Sequence, residues 1–165
     1  MENIIKINDS EIVAGILQKS FITVARQFNF SRENAPRFPA FIKPEQILKQ
    51  LNEGLSVYGY SMNGKIAGCA GYSPMKDKNY LIERVATLPE YRHLGIGGKL
   101  MSFVERQILE EGGEKAEVHV VDINKVLVEW YKSLGYTVIR TEEIKTAPFN
   151  SLVLNKDLKF QCCVC

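Results

Sequence analysis

The sequence predicts an α/β sandwich in which helices cover a mixed β-sheet. Short apolar runs with strand-like alternation recur along the chain, and longer segments with apolar residues at helical spacing separate them. Their order along the chain is β-α-α-β-β-β-α-β-α-β-β, without an internal repeat or a low-complexity tract. This alternation of strands and helices is typical of α/β proteins.

The composition is that of a globular protein with one domain. The chain has 165 residues, of which 45% are hydrophobic and 24% charged. Its net charge of +2 predicts no strong attraction to nucleic acid or membranes. No apolar run approaches the roughly 20 residues that span a bilayer, and no signal-peptide pattern opens the sequence. We therefore expect a cytoplasmic protein.

The four cysteines do not form a disulfide or zinc pattern. Cys69 lies alone in a strand-like run, whereas Cys162, Cys163 and Cys165 crowd the end of the sequence. We expect a single domain over residues 1–160 and a mobile cysteine-rich tail over 161–165, without a metal site. The alternative is a metal or redox half-site that another chain completes.

The first third of the chain contributes one strand and two helices. Residues 4–7 form a short strand, and Ser10 is the expected cap of a helix that ends near Phe28. Residues 29–43, rich in Asn, Pro and Phe, are expected to form a loop. Pro44 suits the first turn of the second helix.

A hairpin and a third strand follow. Residues 55–62 and 65–72 have strand character, and Asn63-Gly64 between them is a strong signal for a tight hairpin turn. The apolar run 80–87 is the next strand. It leads into a helix whose apolar face comprises Ile96, Leu100, Phe103, Val104 and Ile108.

The last third contains three strands and one helix. The strands are expected at 116–121, 136–141 and 151–158. Asn124 is the expected cap of the intervening helix. That helix places four apolar residues at helical spacing, namely Val126, Leu127, Trp130 and Leu134.

The segment between the strand 80–87 and its helix carries the clearest chemical signal. It reads Arg92-His93-Leu94-Gly95-Ile96-Gly97, or Arg-x-x-Gly-x-Gly. Glycines at a helix start allow close approach of a ligand, and the first N–H groups of the helix attract anions. A phosphate or pyrophosphate is the natural ligand. The spacing fits neither a Walker loop nor a dinucleotide fingerprint.

This segment, with the preceding Val85-x-x-x-Pro89-Glu90-Tyr91, resembles the acetyl-CoA-binding signature of GNAT N-acetyltransferases. The resemblance implies the acyl-CoA N-acyltransferase fold, with a mixed, mostly antiparallel sheet flanked by helices. It also implies acetyl transfer from acetyl-CoA, as co-substrate, to a primary amine of a small molecule or peptide. Homodimers are common among such proteins.

A second segment is similar to another part of the same family. The run Asn124-x6-Tyr131-x3-Gly135-Tyr136 resembles the family's Asn…Tyr…Leu-Gly-Phe/Tyr pattern. The resemblance implies that Asn124 binds the pantetheine arm and that Tyr131 protonates the departing thiolate. A phenol suits this role because it keeps its proton at neutral pH. The alternatives are a helix cap and an amphipathic edge residue.

The implied cofactor contacts are mainly backbone groups of the glycine segment and the strand before it. Arg92 is the exception, since its side chain is expected either to add charge at the pyrophosphate or simply to be exposed. With Asn124, the expected cofactor-binding residues are Val85, Ala86, Thr87, Arg92, His93, Leu94, Gly95, Ile96, Gly97 and Gly98.

Two residues compete for the role of general base. Glu83 is an acidic residue within an apolar strand, two positions from Val85 and so expected on the same face. His119 lies in the next strand and titrates near neutral pH without special tuning. We place Glu83 first, with a salt-bridged Glu83 and a hydrogen-bonded sheet histidine as the alternatives. An amine that arrives neutral needs neither.

The expected acceptor depends on the residues that line its pocket. The expected pocket regions supply aromatic side chains without a dense acidic cluster, so a small amine of modest charge fits better than a polycation. The aromatic residues in question, which are alternatively core, are Phe28, Phe30, Phe38, Phe41, Tyr72 and Phe149. A non-catalytic acyl-CoA-binding regulatory domain and a generic anion-binding domain are the competing interpretations.

Overall fold

A seven-stranded sheet with helices on both faces forms the frame of the molecule. The structure, a computed structural model, describes residues 3–159. Its strands are β1 (Ile4–Ile7), β2 (Ser56–Met62), β3 (Lys65–Pro74), β4 (Asn79–Thr87), β5 (Lys115–Val121), β6 (Thr137–Glu142) and β7 (Ser151–Asp157). Its helices are α1 (Ser10–Phe28), α2 (Pro44–Asn52), α3 (Ile96–Glu110) and α4 (Lys125–Ser133). The predicted order of elements is confirmed.

The strands lie in the spatial order β1-β2-β3-β4-β5-β7-β6. Every neighbouring pair is antiparallel except β4 and β5, which are parallel because α3 connects them. This confirms the expected mixed and mostly antiparallel sheet.

The parallel pair β4–β5 separates along its length. Only three residue pairs join the strands, from Asn79–Lys115 to Leu81–Glu117, although β4 continues to Thr87 and β5 to Val121. Beyond Leu81 the edge of β4 that faces β5 therefore has no strand partner within residues 3–159. This opening is the main departure from a regular sheet, and it determines where the site lies.

Two hydrophobic layers hold the helices against the sheet. On one face α3 and α4 pack on the sheet through residues such as Ile82, Leu100 and Tyr131. On the other face α1 and α2 pack through residues such as Leu17 and Ile47. Most of these side chains are almost fully buried, so their removal from water supplies much of the stability of each layer.

The ends of the first helix and the first hairpin show how local sequence determines local structure. Asp9, not the predicted Ser10, caps α1: its carboxylate accepts hydrogen bonds from the N–H groups of Glu11 and Ile12. Ser10 is already helical, whereas Asp9 has the extended backbone that a cap requires. The predicted hairpin turn is confirmed, because Asn63 and Gly64 both have positive φ.

The buried face of α4 differs from the predicted one. Val128 and Tyr131 are buried against the sheet, but Val126 is 81% exposed. Residues two apart on a helix point about 200° away from each other, so burying Val128 turns Val126 toward solvent. Leu127, Trp130 and Leu134 pack at the margin of the core, as predicted.

Within residues 3–159, no helix is long and apolar enough to cross a membrane. The same residues contain no cluster of His, Cys, Asp or Glu side chains that is suited to hold a metal ion. The predicted cysteine-rich tail lies outside the described residues.

Candidate active site

The glycine segment presents a row of unpaired backbone donors. In the part of the chain that the structure describes, the N–H groups from His93 to Gly98 have no acceptor, and the first helical bond of α3 runs from Lys99 N–H to the Gly95 carbonyl. His93 and Gly95 both have positive φ, which bends the loop tightly into the helix. Such a concave row of N–H groups at a helix N-terminus is suited to bind a phosphate group.

The glycines of this segment serve different purposes. Gly95 has φ +78°, a conformation that disfavours any side chain. Gly97 lies against the indole of Trp130, 3.1 Å from the position that a Cβ would take, so it permits α3 and α4 to approach each other. Gly98 faces open space. These glycines were predicted to allow close approach of a ligand; at Gly97 the close neighbour is Trp130.

Arg92 is tied to the protein by its side chain. Its guanidinium donates to the carbonyls of Thr87 and Ser20 and to the hydroxyl of Thr23. The residue thereby joins the end of β4 and the start of the glycine segment to α1. Three acceptors already occupy its guanidinium, so its position indicates a role in holding the loop.

A cavity of about 420 Å³ occupies the opening between β4 and β5. It is bounded by β4, β5, α4, the C-terminal half of α1, the loop that follows α1 and the β6–β7 loop. Five of the predicted site residues line it, namely Glu83, Val85, His119, Asn124 and Tyr131. Glu83 and Tyr131, which are 48 positions apart in sequence, thus line the same cavity.

Tyr131 and Asn124 lie on the α4 side of this cavity. Burial raises the pKa of Tyr131, and its hydroxyl has no hydrogen-bond partner among the described residues. The phenol therefore keeps its proton and has no competing acceptor in the protein. Asn124 caps α4 through Oδ1, which accepts from Leu127 N–H at 3.3 Å, and its Nδ2 is left to donate toward the cavity.

A β-bulge in β4 changes which side chains face the cavity from the α1 and α2 side. Arg84 and Val85 together oppose Ala70 of β3, and Arg84 has φ +59°. Because of this extra residue, Glu83 and Val85 do not share a face, contrary to expectation: Val85 packs toward α3. Glu83 instead pairs with Gly71, on the face of the core that α1 and α2 cover.

Glu83 is half-buried and forms no hydrogen bond or ion pair within the described residues. The expected alternative, a carboxylate paired with a basic neighbour, is present only in part: no ion pair is formed, but the charge of Glu83 acts on the adjacent Arg84 guanidinium. An unpaired carboxylate in a narrow cavity can accept a proton from an ammonium group.

His119 is held by a neighbouring carboxylate. Its Nε2 lies 2.7 Å from Oε1 of Glu117, and Arg140 donates to the same Glu117 oxygen at 3.2 Å. With Nε2 donating, Nδ1 is the nitrogen that remains to accept a proton. The hydrogen-bonded sheet histidine anticipated as an alternative is therefore present, although the ring also lines the cavity.

Cys69 is unsuited to covalent chemistry. Its side chain is fully buried, its thiol donates to the Arg84 carbonyl at 3.3 Å, and burial raises its pKa to about 12. A thiol with so high a pKa is almost entirely protonated at neutral pH. Cys69 supports the bulge and does not line the cavity.

Some residues that line the cavity were not predicted from the sequence. Arg37 and Arg84 are among the lining residues, and Ile144, Thr146 and Ala147 of the β6–β7 loop close one side. A signal for Arg84 was present: two consecutive charges, Glu83-Arg84, interrupt an apolar strand, and a bulge is one way to accommodate them.

The aromatic residues divide between core and cavity. Phe30, Phe38 and Phe149 form a cluster with ring centroids 4.8 to 6.2 Å apart, of which Phe38 and Phe149 also line the cavity. Tyr72 is core, and its hydroxyl donates to Glu111.

Comparisons with known proteins agree with this geometry. Residues 20–136 match the model of the acetyltransferase (GNAT) family. Thialysine N-epsilon-acetyltransferase of Bos taurus is 38% identical over 64 residues, which is 39% of this chain and 38% of that protein. The chain thus aligns with less than half the length of this curated relative.

Solved structures share the fold at low identity. PaiA N-acetyltransferase from Thermoplasma acidophilum, in complex with coenzyme A, superposes with a TM-score of 0.76 at 18% identity, over 93% of this chain and 97% of that one. The ribosomal-protein-S18-alanine N-acetyltransferase from Escherichia coli gives 0.76 at 16% identity, over 96% and 94%. With the family match spanning most of its length, the chain belongs to the GNAT family of acetyltransferases.

Proposed function

We propose that this protein transfers the acetyl group of acetyl-CoA directly to a primary amine of a small molecule or peptide. The observation that carries the proposal is the cavity between β4 and β5. It joins an unpaired carboxylate, Glu83, on the α1 and α2 side to a protonated phenol, Tyr131, on the α4 side. Membership of the family and the coenzyme A complex of the Thermoplasma protein support it.

The residues present fit acetyl-CoA. The six N–H groups from His93 to Gly98 would hold the pyrophosphate, and the unpaired edge of β4 at Val85, Ala86 and Thr87 would offer backbone groups to the amide-rich pantetheine arm. Asn124 would add its Nδ2 donor. Acetyl-CoA supplies an activated acyl group as a thioester.

Each side of the cavity has one task in the reaction. Glu83, directly or through water, takes a proton from the incoming ammonium, so that a neutral amine attacks the acetyl carbon. Tyr131 gives its proton to the CoA thiolate as the carbon–sulfur bond breaks; the nitrogen loses its second proton as the amide forms, and that proton restores the Tyr131 phenol through solvent. His119 is the second candidate base through Nδ1. The described cysteine, Cys69, is buried away from the cavity, which supports direct transfer without an acyl-enzyme.

The test is release of free CoA thiol from acetyl-CoA with a panel of primary amines, amino acids, peptides and polyamines. Thialysine belongs in the panel because the bovine relative is named for it. Mass spectrometry of the acceptor should show addition of one acetyl group. Tight acetyl-CoA binding without turnover of any acceptor would instead support a regulatory acyl-CoA-binding domain.

We also propose that the protein acts in the cytoplasm, as a homodimer. Support for the dimer comes from β6, the outer strand of the described sheet, where Val138 and Ile139 are exposed. An outer strand with exposed apolar side chains is a common site of self-association. Sedimentation velocity would show one species of twice the chain mass, and a monomer at all concentrations would refute the proposal.

A further inference from the structure

The bulge in β4 places an arginine at the wall of the cavity. Arg84 has φ +59°, in the left-handed region that a bulky residue rarely adopts. Such strain, when a buried framework maintains it, often marks a functional position. Here Cys69 holds the Arg84 carbonyl from β3, and the extra residue turns the side chain toward α2.

The guanidinium of Arg84 is positioned but mostly unpaired. Its Nε donates to Oε1 of Gln50 at 3.1 Å, whereas its two terminal NH2 groups have no partner within the described residues. Arg84 is one of the residues that line the cavity, and it is largely removed from solvent; burial lowers its pKa, yet an arginine remains charged at neutral pH. A planar pair of NH2 groups is the donor arrangement that binds a carboxylate through two hydrogen bonds.

The neighbouring charges define what the cavity can recognise. Glu83 and Arg84 are adjacent and of opposite sign; they form no ion pair within the described residues, although the charge of Glu83 acts on the Arg84 guanidinium. Arg37 adds a second positive charge to the lining. A ligand with one ammonium and one carboxylate complements Glu83 and Arg84 separately, whereas a diamine meets two unneutralised guanidinium groups.

We propose that the acceptor is a carboxylate-bearing amine, such as an amino acid, whose carboxylate Arg84 binds while its ammonium faces Glu83. This inference rests on the proposed acetyl transfer and specifies the acceptor class of the same site. Gln50 is the positioning residue that orients the guanidinium.

The test compares acceptors that differ only in the carboxylate. Each active amino acid is assayed beside its amide, for example L-lysine beside L-lysinamide. We expect the wild-type protein to favour the carboxylate by about 10- to 100-fold in kcat/KM, the range that charged hydrogen bonds supply. In Arg84→Gln this preference should vanish, because the KM of the acid rises to that of the amide.

Two further variants exclude misfolding as the cause. Arg84→Gly removes the side chain at a backbone conformation that glycine prefers, so it should fold at least as stably and lose the same preference. Arg37→Gln removes one positive charge from the more exposed part of the lining and should change the preference much less. Equal kcat/KM for acid and amide in the wild type, or a preference that persists in Arg84→Gly, would overturn the inference.

A binding measurement separates this inference from the proposed function. Calorimetry of L-lysine and of L-lysinamide is performed on protein saturated with CoA, which requires no turnover. Arg84-dependent binding of the acid alone, in a protein that acetylates nothing, would support the carboxylate site and refute the transferase. Acetylation of acids and amides at equal rates would support the transferase and refute the carboxylate site.

Discussion

At the scale of single residues, the environments of Tyr131 and Glu83 differ in the way that acid–base catalysis requires. Tyr131 is enclosed and its raised pKa keeps it protonated, whereas Glu83, beside the β4 bulge, forms no hydrogen bond or ion pair within the described residues. The two groups approach the cavity from opposite faces of the sheet, because Glu83 shares its face with α1 and α2 and Tyr131 belongs to α4. A proton can thus be removed on one side of the thioester and supplied on the other.

Tyr131→Phe should lower kcat by about 100-fold or more, within the range of a general acid, and leave the KM for acetyl-CoA nearly unchanged. Its hydroxyl has no partner in the described protein, so thermal stability should hardly change. Because burial raises the pKa of Tyr131 above its ordinary value near 10, the wild-type rate should not fall through ionisation of this phenol below about pH 10. Thiol release from pH 6 to 10 measures both effects. An unchanged kcat would exclude Tyr131 as the acid.

Glu83→Gln and His119→Gln distinguish the two candidate bases. The free carboxylate of Glu83 should be the more important one, since Glu117 already holds His119 at 2.7 Å. We expect Glu83→Gln to lower kcat/KM by about 100-fold at pH 7, with the loss shrinking as the pH approaches the pKa of the amine, because the acceptor then arrives neutral. His119→Gln should lower kcat/KM by less than about tenfold. The reverse ranking would assign the base to His119.

At the scale of elements, the glycine segment illustrates what sequence can and cannot predict. The Arg-x-x-Gly-x-Gly pattern located the strand, the helix start and the six N–H groups, because turn chemistry and helix entry are local. It did not predict that Trp130 packs on Gly97 or that Arg92 binds α1, since both contacts join distant parts of the chain. The bulge at Arg84 was missed for the same reason: strand alternation is assumed until pairing with β3 reveals the extra residue.

Gly95→Ala tests whether this loop conformation binds the co-substrate. Its φ of +78° makes a Cβ unfavourable by about 1 kcal/mol, so the loop should relax and the row of N–H groups should lose its shape. We expect the Kd for CoA, measured by calorimetry, to rise at least about tenfold. Gly112→Ala is the matched control, because Gly112 also has positive φ (+88°) but lies beyond the opposite end of α3. If both variants bind CoA equally well, the loop is not the pyrophosphate site.

At the scale of the whole molecule, the opening between β4 and β5 provides the site but also reduces the pairing that holds the sheet together there. The sheet is joined there by only three residue pairs, yet α3 carries the glycine segment and α4 carries Tyr131. A polar cluster links the elements on the α3 and α4 face. Lys156 of β7 binds both carboxylate oxygens of Glu105 in α3, and Tyr136, which follows α4, donates to the same carboxylate.

This cluster should stabilise the fold strongly, because its charges are withdrawn from water. The side chains of Lys156 and Glu105 are 12% and 6% exposed, so Lys156→Met leaves Glu105 buried without its cation. We expect a loss of about 3 kcal/mol in the free energy of unfolding, measured in urea. Lys132→Met, which breaks the exposed pair with Glu129, should change it by less than about 1 kcal/mol.

The double variant Lys156→Met/Glu105→Leu tests whether the loss comes from the uncompensated charge. Removing both charges replaces a broken ion pair with apolar packing, so stability should recover substantially relative to Lys156→Met alone. CoA binding should recover in parallel, because the cluster links α3 to the segment that follows α4 and so fixes the two elements that hold the co-substrate. If the losses measured for Lys156→Met and for Glu105→Leu alone simply add in the double variant, packing and not the buried ion pair accounts for the stability of this face.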